Sequence, residues 1–241
     1  MLQVLLHILL ASILLTSVYT LPKPRLLNVL WYQQPYAFVH IPKTGGTAIK
    51  HWLKSSNHCP SIASYYHEET TQTAQFYQQH PITIIRDPID RFLSTFYYWK
   101  YGSEDISAWR RPNNWHKADS IDTPEKLITI LANKNHPQHQ QTVRDILSND
   151  HITWQHFLPQ SHWINSPEAD ITFVCYHPKQ LQQQLQHALD QLHIPCKIEQ
   201  LPIKNQSRHK ANHQAKLSPA AIQWLKQYYQ KDFTLYQKYC Q

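Results

Sequence analysis

Residues 36 to 54 read Tyr-Ala-Phe-Val-His-Ile-Pro-Lys-Thr-Gly-Gly-Thr-Ala-Ile-Lys-His-Trp-Leu-Lys. The first six form a short apolar, β-favouring run that reads as a strand. The last seven alternate faces as a helix does. Between them, residues 42 to 47 hold Gly45 and Gly46, two of the three glycines in 241 residues, Gly102 being the third. Average usage would put glycine at roughly 7% of positions, so this chain reserves it for backbone that other residues cannot adopt.

A glycine pair between a strand and a helix turns successive backbone N–H groups toward one point, where the helix N-terminus already offers unpaired donors and partial positive charge. Such a point binds phosphate. Lys43 adds an ammonium, and Thr44 and Thr47 add hydroxyls. The nucleoside-triphosphatase signature places Lys and Ser/Thr after the last glycine. Here Lys43 precedes both, which disfavours a Mg-ATP enzyme. A glycine turn without a ligand is the plainer alternative.

Working outward, residues 82 to 86 form a second β-branched strand, and Asp87-Pro88 then starts a helix, Asp as N-cap and Pro in the first turn. That helix buries Phe92, Phe96 and Trp99. Arg86 leaves the strand at the edge where open α/β sheets bind ligands, and its guanidinium suits phosphate. Ser94 follows two turns later as a further donor. Arg91 reads either as a ligand group or as an intrahelical partner of Asp87 or Asp90. Thr123-Pro124 and Ser218-Pro219 open helices over 124–133 and 219–230. Residues 171 to 176 are a third apolar strand, with a Gln-rich helix over 178–192. Strands alternating with helices give an α/β domain, a central, mainly parallel sheet flanked by helices. The stretch 102–120 reads as a functional loop: Lys100, Arg110, Arg111 and Lys117 could receive an anionic saccharide, with Trp109 or Trp115 stacking on sugar faces. A solvated basic loop is the alternative.

Lys and Arg number 23 against 16 Asp and Glu, a net charge of +7 with the seventeen histidines neutral. The expected partner is anionic, whether nucleic acid, polysaccharide, phosphate-rich cofactor or membrane surface. Residues 1–24 carry an apolar stretch of nearly membrane-spanning length and read as a signal peptide or a membrane anchor, leaving 25–241 as one domain. Cys59, Cys175, Cys196 and Cys240 allow three full pairings or four free thiols. No Cys-x-x-Cys pair or zinc-ligand spacing occurs.

Together, residues 42–47 and 86–94 resemble the carbohydrate sulfotransferases that use 3′-phosphoadenosine 5′-phosphosulfate, especially the heparan sulfate 2-O- and 6-O-type enzymes. The first run looks like that family's 5′-phosphosulfate loop and the second like its 3′-phosphate motif, in the expected order. Weaker resemblance extends over His156-Phe157-Leu158-Pro159-Gln160, Asn205-Gln206-Ser207 and the closing helix from Trp224 to Tyr239. The resemblance implies a P-loop-NTPase-like sulfotransferase fold and transfer of a sulfuryl group, without a metal, to a hydroxyl of a glycosaminoglycan-like acceptor. It places the domain in the Golgi lumen behind a membrane anchor, or outside the cell after cleavage.

The same resemblance assigns the donor to Lys43, Thr44, Gly45, Gly46, Thr47, Ala48, Arg86, Ser94 and Ser207. Ala48 departs from the family's usual Ser, which removes one hydroxyl and implies weaker donor affinity. Lys43 faces the bond to be broken. The family's base lies between the two motifs, where His51, His58, His67 and His80 occur, and His67 best matches its strand-end histidine; Glu68 or Glu69 is the alternative base. His156 and Gln160, with Arg110 and Arg111, are acceptor candidates. Asn205-Gln206-Ser207 also reads as a glycosylation sequon. Two competing functions are a kinase-like phosphate-ester enzyme and a non-catalytic module that binds anionic polysaccharide.

Overall fold

The computed structural model describes residues 33–55, 59–67, 69–102, 120–147, 154–202 and 216–241. The chain divides into units 1–33 and 34–241. The apolar N-terminal stretch lies outside the described residues, as do Arg110, Arg111, Lys117, Trp109, Trp115, His58, Glu68 and the Asn205-Gln206-Ser207 run.

Four strands make one parallel sheet: β1 (Tyr36–Val39), β2 (Ile62–Ser64), β3 (His80–Ile85) and β4 (Thr172–Cys175), ordered β2-β1-β3-β4. β1 and β3 are central and almost wholly buried, as expected of a parallel sheet covered on both faces. The order reverses around β1, and the loop leaving β1 therefore opens at the switch point where α/β sheets hold ligands. β2 is the strand that periodicity does not announce: Ile-Ala-Ser is three residues long, too short for a pattern.

The helices are α1 (Gly46–Ser55), α2 (Thr71–Phe76), α3 (Pro88–Tyr101), α4 (Pro124–Ala132), α5 (His139–Leu147), α6 (Trp154–Phe157), α7 (Leu181–Gln191), α8 (Pro219–Tyr228) and α9 (Gln230–Cys240). Three start as their sequences dictate. Asp87 accepts from the Asp90 N–H at 2.8 Å, Thr123 caps Lys126, and Ser218 caps Ala221, each with proline in the first turn. The helix read over 219–230 is observed as α8, ending at Tyr228, and the closing helix read from Trp224 to Tyr239 is divided between α8 and α9. The chain turns at Tyr229, which is fully buried and donates its hydroxyl to the Phe157 carbonyl at 2.9 Å. A buried aromatic with a distant partner sets that break, and no glycine or proline marks it.

Two apolar clusters hold the fold. One packs Phe38, Ile49, Trp52, Ile82, Val174, Leu185 and Leu189 between the sheet, α1 and α7. The other packs Phe92, Phe96, Trp99, Leu127, Phe157, Leu225 and Tyr229 among α3, α4, α6 and α8. Cys59 pairs with Cys196 and Cys175 with Cys240, which selects one of the three pairings and removes the free-thiol alternative. Such bonds persist in oxidising compartments such as the secretory pathway. Among the described residues, no helix is long and apolar enough to cross a membrane.

Candidate active site

The loop after β1 is held by its own residues and by two arginines from the β3–α3 segment. Thr44 is fully buried and donates its hydroxyl to the Ile41 carbonyl at 2.9 Å. Lys43 and Gly45 have φ of 67° and 89°. Glycine takes that conformation without penalty, whereas for lysine it is uncommon and has to be held by its surroundings. Arg86 Nη1 donates to the Lys43 carbonyl and Arg91 Nε to the Pro42 carbonyl, both at 2.9 Å, and these two bonds fix the turn.

The two glycines serve different purposes. A Cβ on Gly45 would come within 2.7 Å of the Tyr176 ring, on top of the positive φ. A Cβ on Gly46 would overlap the His40 ring. Gly46 opens α1, whose first N–H groups have no acceptor within the helix. The Ala48 N–H is turned back onto the Gly45 carbonyl at 3.2 Å, so this position lacks a hydroxyl and its amide is engaged inside the loop.

Of the two readings of Arg91, the intrahelical pair is not made. It is 1% exposed and donates to the carbonyls of Pro42, Leu158 and His156 at 2.9, 2.8 and 3.1 Å. Asp90 instead takes Arg86 Nε at 2.6 Å, and Asp87 remains the helix cap. The Arg86 guanidinium also lies 4.5 Å from the centre of the Tyr176 ring. Ser94 is buried in the second turn of α3.

Lys43 extends its ammonium over the Tyr98 ring, 3.8 Å from the centroid, and makes no ion pair among the described residues. Burial, with the Arg86 and Arg91 charges beside it, brings its pKa down to about 7. Three cations and a helix N-terminus crowd one loop, opposed by the carboxylate of Asp90. An anion is the group that would relieve the crowding.

From Lys43 a row of rings leads to the other end of the loop. Tyr98 stacks on His156 with centroids 5.2 Å apart, His156 meets His67 edge-on at 5.6 Å, and His67 meets His40 edge-on at 4.4 Å. His40 rests on Gly46, so the row begins and ends on the same turn. His67 is held by its main chain, whose carbonyl accepts from Trp163 Nε1 at 2.7 Å. Burial, then the charges of Lys50, Lys43 and Arg91, bring the His67 pKa down to about 4, so the imidazole is neutral at physiological pH.

The other base candidates are elsewhere. His51 is exposed on α1, His80 bonds Thr172 Oγ1 at 2.8 Å, and Glu69 accepts from the Tyr66 N–H at 2.8 Å. His156 is buried within the row. Gln160 is 1% exposed and both ends of its amide bond the Arg86 backbone, so it reaches the site through Arg86. The sequence reading passed over His40, Tyr98, Tyr176 and Asp232. His40 and Tyr98 sit in apolar runs that mask them, while Asp232, buried and bonded to the Gln160 and Ser161 N–H groups, has no local signal.

Lys43, Thr44, Gly45 and Gly46 thus share one turn, which Arg86 reaches from the end of β3, with His67 and His156 along one row of rings and Ser94 on α3. Among the described residues, no group of His, Cys, Asp and Glu is arranged to hold a metal ion. A family model described as Sulfotransferase family matches residues 33–239. No curated protein and no solved structure matches the chain.

Proposed function

The chain belongs to the sulfotransferase family, and we propose that its donor is 3′-phosphoadenosine 5′-phosphosulfate and its acceptor a carbohydrate hydroxyl, on a glycosaminoglycan of the heparan sulfate type. The donor supplies the sulfuryl group and departs as 3′-phosphoadenosine 5′-phosphate. The observation that carries this reading is one row of rings above a glycine turn, with Lys43 over its first ring, His67 within it and His40 closing it on Gly46.

In this reading the start of α1, with Thr44, Gly45, Gly46, Thr47 and Ala48, holds the 5′ side of the donor. Arg86 and Ser94, with Ser207 from outside the described residues, hold the 3′-phosphate. The fit rests on two features of this chain: a turn whose Gly45 has no room for a Cβ, and a lysine whose pKa is depressed by burial and by the neighbouring charges of Arg86 and Arg91. Lys43 offsets the negative charge that builds on the departing oxygen, an interaction that strengthens in the transition state. His67, neutral and at the loop, takes the proton of the acceptor hydroxyl. His156 lies beside it in the row, and Arg110 and Arg111 complete the acceptor side. The net charge of +7 favours a polyanionic acceptor. The paired cysteines support a lumenal or extracellular domain, and residues 1–24 supply the Golgi anchor.

Calorimetric titration with 3′-phosphoadenosine 5′-phosphate in metal-free buffer tests the donor. Transfer of labelled sulfate across heparan, chondroitin and dermatan chains then tests the acceptor. Binding followed by label on heparan is expected. Salt-sensitive polysaccharide binding with no affinity for the nucleotide, or a requirement for Mg2+ and ATP, would overturn the reading.

A further inference from the structure

Of the histidines in the row, His40 has no task in the reaction described above. It is buried, and its Nδ1 has no hydrogen-bond partner among the described residues. A buried polar atom without a partner is uncommon and asks for a reason other than packing. Its surroundings suggest one. The ring occupies the space that a Cβ on Gly46 would need, so the second glycine of the loop admits this imidazole. Its other neighbour is His67, edge-on at 4.4 Å. The first residue of α1 and the base are therefore separated by one ring.

We propose that His40 is a positioning residue for His67: seated on Gly46, its ring holds the base at a fixed offset from the donor loop and keeps water from it. The proposal rests on the reading of His67 as the base. The charged and titratable groups that face His67 come from several elements: His40 from the end of β1, Lys43 from the loop, Lys50 from α1, Arg91 from α3 and His156 from α6. The cations among them disfavour a charged His67. His40, itself neutral and packed against it, contributes exclusion of solvent. Removing the His40 ring readmits water to His67 and leaves the cations in place.

The test is an NMR titration of the His67 imidazole in the donor-free protein, its resonance assigned by loss in His67→Ala. The wild-type midpoint is expected at about 4. In His40→Ala, and in His40→Asn, which keeps a polar group, it should rise by about one pH unit or more toward the free imidazole value. A midpoint that stays in place overturns the proposal. Affinity for 3′-phosphoadenosine 5′-phosphate within about threefold of wild type marks an intact loop, and kcat at neutral pH should fall by about 10- to 100-fold, with the donor KM unchanged. An unchanged kcat also overturns it.

A double substitution tests the seating itself. Gly46→Ala alone should lower nucleotide affinity at least about tenfold, and His40→Ala in the same chain should restore most of it, because the ring it would strike is gone. Absence of rescue overturns the contact between ring and loop. If His67→Ala retains full turnover, the reading of the base has failed, while the titration and the rescue still report on His40, so the two failures are distinct.

Discussion

Arg86 and Gln160 bond to each other as neighbouring strands do. The Arg86 N–H donates to Gln160 Oε1 and Gln160 Nε2 donates to the Arg86 carbonyl, both at 2.9 Å and both buried. The Gln160 N–H in turn donates to Asp232 Oδ2 at 2.6 Å, and the Ser161 N–H to Asp232 Oδ1 at 2.9 Å. The backbone at the end of β3 is thereby tied through one glutamine to a carboxylate in α9. A side chain completes the hydrogen bonding of Arg86 just past the end of β3, and the C-terminal helix becomes part of the support for the candidate phosphate site.

Gln160→Leu should therefore cost stability and binding together. It leaves a buried N–H and a buried carbonyl at Arg86 without partners, which costs about 1–3 kcal/mol for each such group. Urea unfolding should show the loss as a lower midpoint, and calorimetry should show weaker binding of 3′-phosphoadenosine 5′-phosphate through a displaced Arg86. Gln160→Glu should not rescue, because a carboxylate accepts from the Arg86 N–H but has no proton for the Arg86 carbonyl. A midpoint equal to wild type in both variants would contradict this account.

The Cys59–Cys196 bond joins residues 137 apart in sequence and closes the edge of the first apolar cluster, in which both cysteines are buried. Constraining so long a loop in the unfolded chain stabilises the fold, and loss of such a bond typically costs about 2–5 kcal/mol. Replacing both cysteines by alanine should lower the melting temperature more than replacing Cys175 and Cys240, whose bond spans 65 residues. Thermal melts of the two double variants give the comparison, and the opposite order would refute it.

Gly45→Ala meets two obstacles, a φ of 89° and a Tyr176 ring carbon 2.7 Å from the new Cβ. The turn would have to move, and Lys43 and Thr44 with it. Nucleotide binding should be lost while the far-UV circular dichroism spectrum remains that of the wild type, since the turn only borders the first apolar cluster, at Tyr176 and Leu181, and supplies none of its members. Tyr176→Ala in the same chain should recover little, because the backbone conformation is unfavourable for alanine whatever the space. Substantial recovery would show that the ring alone requires the glycine.

How much of this was legible in the sequence follows from the range of each interaction. The strand–turn–helix around Gly45 and the caps at Asp87, Thr123 and Ser218 are made by residues within four positions of one another, and local chemistry revealed them. Arg91 reaches carbonyls 49, 67 and 65 residues away. Its nearby carboxylates were the plausible partners in sequence and lost to acceptors that exist only in the fold. The break at Tyr229 is set by a hydroxyl bond spanning 72 residues, and β2 is too short to show a period. Lys43, Arg86 and His67 were named through motif likeness, and the fold brings them to or beside the turn after β1. Burial decided the surroundings of Gln160, and burial of a polar side chain leaves no local trace.

Lys43 offers the most direct measurement, because its pKa of about 7 lies well below that of a lysine in the unfolded chain. Between pH 7 and 10.5 the unfolded state binds more protons than the folded one, so charged Lys43 destabilises the protein fully below pH 7 and progressively less as pH rises. Lys43→Met should accordingly melt higher than wild type at pH 7, with the gap closing toward pH 10. An anion at the turn favours the charged form, and nucleotide binding at pH 8 should therefore take up a sizeable fraction of a proton. Calorimetry in two buffers of different ionisation enthalpy measures that uptake directly. It should vanish in Lys43→Met, and affinity in the wild type should lose the Lys43 contribution as pH climbs above 7. Turnover in the variant should fall by about 10²–10³-fold or more, since the charge acts on an oxygen that becomes negative in the transition state. Proton uptake that survives the substitution would remove Lys43 from the site, and undiminished turnover would remove it from the chemistry.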